Sequence, residues 1–69
     1  MSIILTSREQ EVVKRLSEGA TIGEIALELG LSNKTIEYHS MRARRKVGAP
    51  SIAQLTRYAL KTGLSRLYE

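Results

Sequence analysis

The sequence repeats one helix-opening pattern along its length. TSRE at residues 6–9 and TIGE at residues 21–24 both fit the capping box, and SIAQ at residues 51–54 is a third match. In this motif the first side chain accepts a hydrogen bond from the N3 backbone N–H, and the N3 side chain reaches back to the first residue's own N–H. Ser32 adds a plain N-cap without a reciprocal partner. These starts predict four helices.

Glycines follow the expected end of each helix. A glycine just beyond a helix commonly takes the left-handed conformation that closes it, and the candidates are Gly19, Gly30, Gly48 and Gly63. Starts and stops together predict helices over residues 7–18, 22–29, 33–47 and 51–62. No segment alternates apolar and polar residues over a useful length, so no strand is predicted. The predicted fold class is all-α.

Apolar residues recur at helical spacing and identify the faces that should turn inward. The third helix has a narrow apolar stripe, an arc of roughly 60° at about 100° per residue, so most of its surface should face outward. In the fourth helix the apolar arc is roughly 160°, more than one face of a thin core needs. The predicted core positions are Val12, Val13 and Leu16; Ile22, Ile25, Ala26 and Leu29; Ile36, Ser40, Ala43 and Val47; and Leu55 and Ala59.

Length and composition limit the chemistry available to the chain. It has 69 residues, no cysteine, one histidine and no aspartate. A single domain over residues 1–69 is expected, and small domains commonly need a disulfide, a metal or a partner. Disulfides and metal clusters are excluded on composition, so we expect no cofactor and no metal, and partner binding remains. MSIIL lacks a basic signal-peptide region and no run approaches the ~20 apolar residues of a membrane span, so a cytoplasmic protein without membrane association is expected.

Positive charge is concentrated in one segment. SNKTIEYHSMRARRK, residues 32–46, carries a net +4, which equals the formal net charge of the whole chain. Residues 1–31 carry −2 and residues 47–69 carry +2. This balance favours an anionic partner, either nucleic acid or an anionic membrane surface. A membrane-surface helix would present Leu, Phe or Trp on a broad apolar face, which the third helix lacks, so DNA is favoured.

Three residues of the third helix support that preference. Lys34 stands in the first turn, where a positive charge opposes the helix dipole and a bound phosphate would reverse the sign of that interaction. Tyr38 and Met41 suit contacts with base edges and thymine methyls. The alternative is a solvated face whose last-turn cations complement the dipole. Helices two and three, joined by a turn at residues 30–32, also have the spacing of a helix-turn-helix, in which the second helix enters the major groove.

LTSREQEVVKRLSEGATIGEIALELGLSNKTIEYH, residues 5–39, resembles the LuxR/GerE-type (NarL/FixJ-type) helix-turn-helix domain. Shared features are the Leu-Thr start, the Arg-Glu pair, Glu-Ile-Ala and the Leu-Gly-Leu-Ser turn, and VGAPSIAQL extends the likeness to about residue 62. The resemblance implies a sequence-specific DNA-binding domain of a bacterial transcription regulator. The implied partners are double-stranded DNA and a second copy of the chain forming a homodimer, with RNA polymerase as a further candidate.

The resemblance also implies roles for individual residues. The implied base contacts are Glu37, Tyr38 and Met41. The implied phosphate contacts are Lys34, Thr35, Arg42, Arg45 and Lys46. Departures from the family pattern, which suggest a loosely packed third helix, are Ser40, Ala43 and Ala49. The family dimerises through its fourth helix, and the residues predicted to face the partner are Ala53, Thr56 and Leu60.

Other interpretations stay open at this point. The same fold could serve as a protein-interaction module with a merely solvated basic face, or as a sigma-like promoter-reading region. An enzyme is not expected, because the sequence shows no Gly-rich phosphate loop, nucleophile–base pair or paired carboxylates. His39 is predicted to be a packed or capping side chain, and Glu9 a cap and ion-pair residue.

Overall fold

The computed structural model describes residues 5–62, which form four α-helices and no strand within that range. They are α1 (Ser7–Ser17), α2 (Ile22–Leu29), α3 (Asn33–Val47) and α4 (Ile52–Thr62). The predicted all-α fold is confirmed, and the helix bounds differ from prediction by one residue at the end of α1 and one at the start of α4. Gly63, predicted to end α4, lies outside the described residues.

The predicted caps begin the helices as expected. In α1 the Thr6 hydroxyl accepts from the Glu9 N–H at 3.1 Å, and the Thr6 N–H donates to Glu9 Oε1 at 2.9 Å. The same reciprocal pair joins Thr21 and Glu24 in α2, at 3.1 and 2.8 Å. At α4, Ser51 Oγ accepts from the Gln54 N–H at 3.2 Å, and within the described residues this third box has only that forward half. Each cap satisfies backbone donors that a helix start leaves unpaired.

The turn between α2 and α3 depends on a left-handed glycine. Gly30 has φ +68°, a conformation that costs glycine nothing but strains other residues. The reversal lets the Leu31 N–H donate to the Ala26 carbonyl at 2.9 Å and brings Leu31 against the core. α3 ends in the same way at Gly48, and the Ala49 N–H donates to the Arg44 carbonyl at 2.9 Å. These two glycine turns fix where α3 begins and where it ends.

The core lies between α1 and the other three helices, with α1 packed against both α3 and α4. The buried apolar residues are Leu5, Val12, Val13, Leu16, Ile25, Ala26, Ile36, Ala43, Leu55 and Ala59. Three predicted core positions are half-buried and pack at the margin of this core, namely Ile22, Leu29 and Val47. A fourth predicted position, Ser40, is buried but polar. The Ser40 hydroxyl is buried and donates to the Glu37 carbonyl at 2.8 Å, which satisfies its polar group inside the domain.

The two leucines of α4 provide a matched test of this core. Leu55→Ala should lower the free energy of unfolding by about 2–5 kcal/mol, because the side chain is fully buried. Leu60→Ala removes the same atoms from a side chain that is 60% exposed, and should cost roughly 0.5 kcal/mol or less. Urea unfolding of both variants at low protein concentration, followed by circular dichroism, measures the difference. Equal losses would contradict the inward placement of Leu55.

Candidate nucleic-acid interface

The side of α3 that faces away from the core carries polar, basic and aromatic side chains. We call it the α3 outer face, and its members are Lys34, Glu37, Tyr38, Met41, Arg42 and Arg45. All of them are exposed except Met41, which is half-buried. No acidic residue stands in the first turn of α3, and its last turn holds Arg44, Arg45 and Lys46. The face therefore presents positive charge along most of its length, with Glu37 as its one carboxylate.

A shallow groove of about 540 Å³ runs beside this face. It brings together four predicted contact residues, which are Lys34, Glu37, Tyr38 and Met41. Ile22 from the start of α2 and Ile52 from the start of α4 form part of its wall, and neither was predicted as a site residue. Each stands first in its helix, and no local signal relates the two, since 30 residues separate them. The three helices thus contribute jointly to one surface.

A buried carboxylate lies beneath the basic end of α3. Glu9 is only 1% exposed, and its Oε1 accepts from Lys46 Nζ at 2.7 Å as well as from the Thr6 N–H. Its Oε2 lies 3.4 Å from Arg42 Nε. The predicted role of Glu9 as cap and ion-pair residue is confirmed by these contacts. Two of the cations predicted to meet phosphates are therefore also attached to α1.

Arg42 additionally contacts the aromatic residue one turn before it. Its Nη1 donates to the Tyr38 hydroxyl at 3.2 Å, and its Cζ lies 5.6 Å from the ring centroid. The half-buried His39 ring meets Tyr38 edge-on at 5.8 Å between centroids. The i,i+4 spacing of Tyr38 and Arg42 could have indicated this pair from the sequence, because such residues are neighbours on a helix surface.

The remaining predicted contact residues differ in whether their side chains already have hydrogen-bond or ion-pair partners. Thr35 is half-buried, and its hydroxyl lies 2.9 Å from that of Ser32, so it takes part in the N-cap of α3. Arg45 is exposed and makes no hydrogen bond or ion pair within the described part of the chain. Arg44, its half-buried neighbour, donates from Nη1 to the Pro50 carbonyl at 3.2 Å and ties α3 to the start of α4. Arg44 therefore has a structural contact that Arg45 lacks.

On α4 the inward and outward residues separate as predicted. Leu55 and Ala59 are buried, whereas Ala53 and Leu60 are exposed and Thr56 is half-buried. Leu60 leaves a large apolar surface uncovered. The outer side of α4 therefore carries Ala53, Thr56 and Leu60 at helical spacing.

Four helices, a glycine turn between the second and third, and a basic outer face on the third define a helix-turn-helix domain. Residues 3–59 match the family described as bacterial regulatory proteins, luxR family (GerE). The chain belongs to this family, whose helix-turn-helix domains bind DNA. No helix among the described residues is long and apolar enough to cross a membrane.

Three relatives illustrate the similarity. The chain is 37% identical over 59 residues to regulatory protein SdiA of Escherichia coli (strain K12), covering 86% of this chain and 25% of SdiA. It is 42% identical over 53 residues to transcriptional regulatory protein UhpA of the same organism, covering 77% of this chain and 27% of UhpA. It is 32% identical over 62 residues to HTH-type quorum-sensing regulator RhlR of Pseudomonas aeruginosa, covering 90% and 26%. The chain spans about a quarter of the length of these relatives.

The buried ion pairs of Glu9 make stability depend on pH. Burial raises the pKa of Glu9. The hydrogen bonds from Lys46 and Thr6, the Lys46 charge and the Arg42 contact lower it by more than burial raises it, so the pKa of Glu9 lies below its ordinary value. A depressed folded-state pKa contributes stability that is complete above the unfolded-state pKa, about 4.3 for glutamate. That stability is lost as the pH falls through the folded-state pKa.

Glu9→Gln should therefore destabilise the domain at neutral pH by about 1–3 kcal/mol, since it leaves Lys46 without its anionic partner. The difference from the parent protein should shrink as the pH falls below the unfolded-state pKa, about 4.3, towards the lowered folded-state pKa at which the parent protonates Glu9. Urea titrations at several pH values measure this. Glu11→Gln is the matched control, because Glu11 is partly exposed and has only a 3.6 Å contact with Arg8. A pH-independent difference for Glu9→Gln would contradict the assignment.

Proposed function

We propose that residues 1–69 form a single DNA-binding domain of a transcription regulator that recognises a specific DNA sequence. In this proposal α3 lies in the major groove and α4 pairs with a second copy of the chain. The observation that carries it is the α3 outer face, where positive charge surrounds Tyr38 and Met41 beside an open groove. RNA polymerase is a further candidate partner, supported by the relatives that are named as transcriptional regulators.

The distribution of charge supports this orientation. Residues 1–31 carry −2 and residues 32–46 carry +4, so the domain should present its α3 side to a polyanion. Of the acidic side chains in residues 1–31, Glu18 and Glu28 both pair with Arg15. A domain with this polarity should approach DNA with α3 in front and should be repelled in the opposite orientation.

Within α3 we assign base recognition and phosphate binding to different residues. Glu37 and Tyr38 lie in the first half of α3 and Met41 lies just past its midpoint; all three line the surface groove beside α3, so they are the proposed base contacts. In a recognition helix, the side chains near its start that face the major groove of DNA are the ones that reach base edges. The proposed phosphate contacts are Lys34, Thr35, Arg42, Arg45 and Lys46. Of these, Lys46 makes one ion pair within residues 5–62, with Glu9, and its ammonium group keeps further donors for a phosphate.

A selection from a random pool of duplexes tests sequence-specific binding first. We expect one enriched sequence with two related half-sites, because two copies joined by α4 would present α3 twice. Binding of the enriched duplex should weaken steeply with salt, since phosphate contacts release counterions. A pool without enrichment, or binding with little salt dependence, would favour an interaction with protein instead.

Tyr38→Ala and Arg45→Gln test the division of labour. Tyr38→Ala should cost about 1–3 kcal/mol on the enriched duplex and much less on a scrambled one, because a base contact is lost. Arg45→Gln should weaken binding to both duplexes alike and lower the salt slope by roughly one unit. Titrations of each variant with both duplexes give the answer. Equal losses on the two duplexes for Tyr38→Ala would show that Tyr38 does not read bases.

Leu60→Glu tests the proposed dimer. Placing a charge on the exposed apolar side of α4 should weaken self-association or cooperative binding to two half-sites, while helicity stays unchanged. Gln54→Glu is the matched control, because it adds the same charge at an exposed α4 position outside the predicted interface. Sedimentation of the free protein and of its DNA complex measures the stoichiometry. Unfolding of Leu60→Glu would place Leu60 in the core.

A further inference from the structure

Arg42 lies between the most buried charge of the described chain and its most exposed aromatic ring. Its Nε faces Glu9 Oε2 at 3.4 Å, and its Nη1 donates to the Tyr38 hydroxyl at 3.2 Å. We propose that Arg42 is a positioning residue, which holds Tyr38 in the orientation that reads DNA and thereby determines sequence specificity. The proposal rests on the DNA-binding function proposed above. It gives Arg42 a second role beside its predicted phosphate contact.

One end of this arrangement is fixed. Glu9 is 1% exposed and is held by the Thr6 N–H at 2.9 Å and by Lys46 Nζ at 2.7 Å, so its carboxylate cannot turn away. A charge-assisted contact to such an anion orients the guanidinium that meets it. Arg42 is otherwise a long side chain on a helix surface, 47% exposed, which would sample many rotamers without this anchor.

Tyr38, at the other end of this arrangement, is the side chain that Arg42 supports. Tyr38 is 50% exposed and lies on the α3 outer face, where it lines an open groove. Arg42 contacts both its hydroxyl and its ring, and His39 meets the ring from another side at 5.8 Å. A side chain ordered before binding loses less conformational entropy when it docks against a base. The benefit appears only where Tyr38 meets its preferred base, so it increases discrimination.

The guanidinium suits this task better than an ammonium group. Arginine carries five donors in a rigid plane, and Arg42 uses different nitrogens for Glu9 and Tyr38. Lysine has the same charge on one nitrogen and lacks the planar fork that spans both partners. Arg42→Lys therefore keeps a cation for the phosphate backbone while removing the bridge to Tyr38.

The experiment compares Arg42→Lys with Arg45→Lys, using the duplex enriched from the random pool and its scrambled counterpart. Arg45 is the control because it is exposed and has no such bridge. Each variant replaces a proposed phosphate contact by a cation of the same charge, so affinity for the scrambled duplex and the salt slope should change equally in the two. In Arg42→Lys alone, the ratio of enriched to scrambled affinity should fall roughly three- to tenfold, the effect of losing one side-chain hydrogen bond.

A double-mutant cycle with Tyr38→Ala shows whether Arg42 acts through Tyr38. In the Tyr38→Ala background, Arg42→Lys should cause no further loss of discrimination. The proposal is overturned if Arg42→Lys keeps full discrimination, or if its loss is equally large without Tyr38, which would mean that Arg42 reads a base directly. A parent protein that binds both duplexes equally would instead overturn the proposed function, and this inference with it.

Discussion

The carboxylate of Glu9 joins the start of α1 to the basic end of α3. It caps α1 through Thr6 and also pairs with Lys46 and Arg42 of α3. Burying a charge is costly unless hydrogen bonds and opposite charges surround it. Here both requirements are met, because backbone and side-chain donors converge on the two oxygens. The start of the first helix and the basic end of the third are therefore fixed by the same group.

This anchor matters because α3 has little apolar surface to bury. Its buried positions are Ile36, Ser40 and Ala43, of which only Ile36 is large. An isoleucine and two small residues provide limited hydrophobic stabilisation. The narrow inward stripe leaves most of the helix outside, where it can hold cations and Tyr38. A contact surface of this kind is compatible with a stable domain when ionic contacts and the glycine-ended turns also hold the helix in place.

The surface beside α3 is built by more than one helix. Ile22 begins α2 and Ile52 begins α4, and both line the groove that also contains Tyr38 and Met41. The Arg44 contact with the Pro50 carbonyl holds the α4 start close to α3. A partner that enters this groove therefore meets apolar walls from two flanking helices, and the relative placement of α2 and α4 shapes what the third helix can reach.

The sequence by itself determined the four helices, their bounds to within one residue, and most of the buried positions, because caps, glycine stops and apolar periodicity act over a few residues. It also located the basic segment and placed Leu55 and Ala59 inside. The tertiary structure decided which distant groups meet. Glu9 and Lys46 are 37 residues apart, and the groove walls at Ile22 and Ile52 are 30 apart. Such contacts depend on how α1 packs across α3 and α4, which no local pattern encodes.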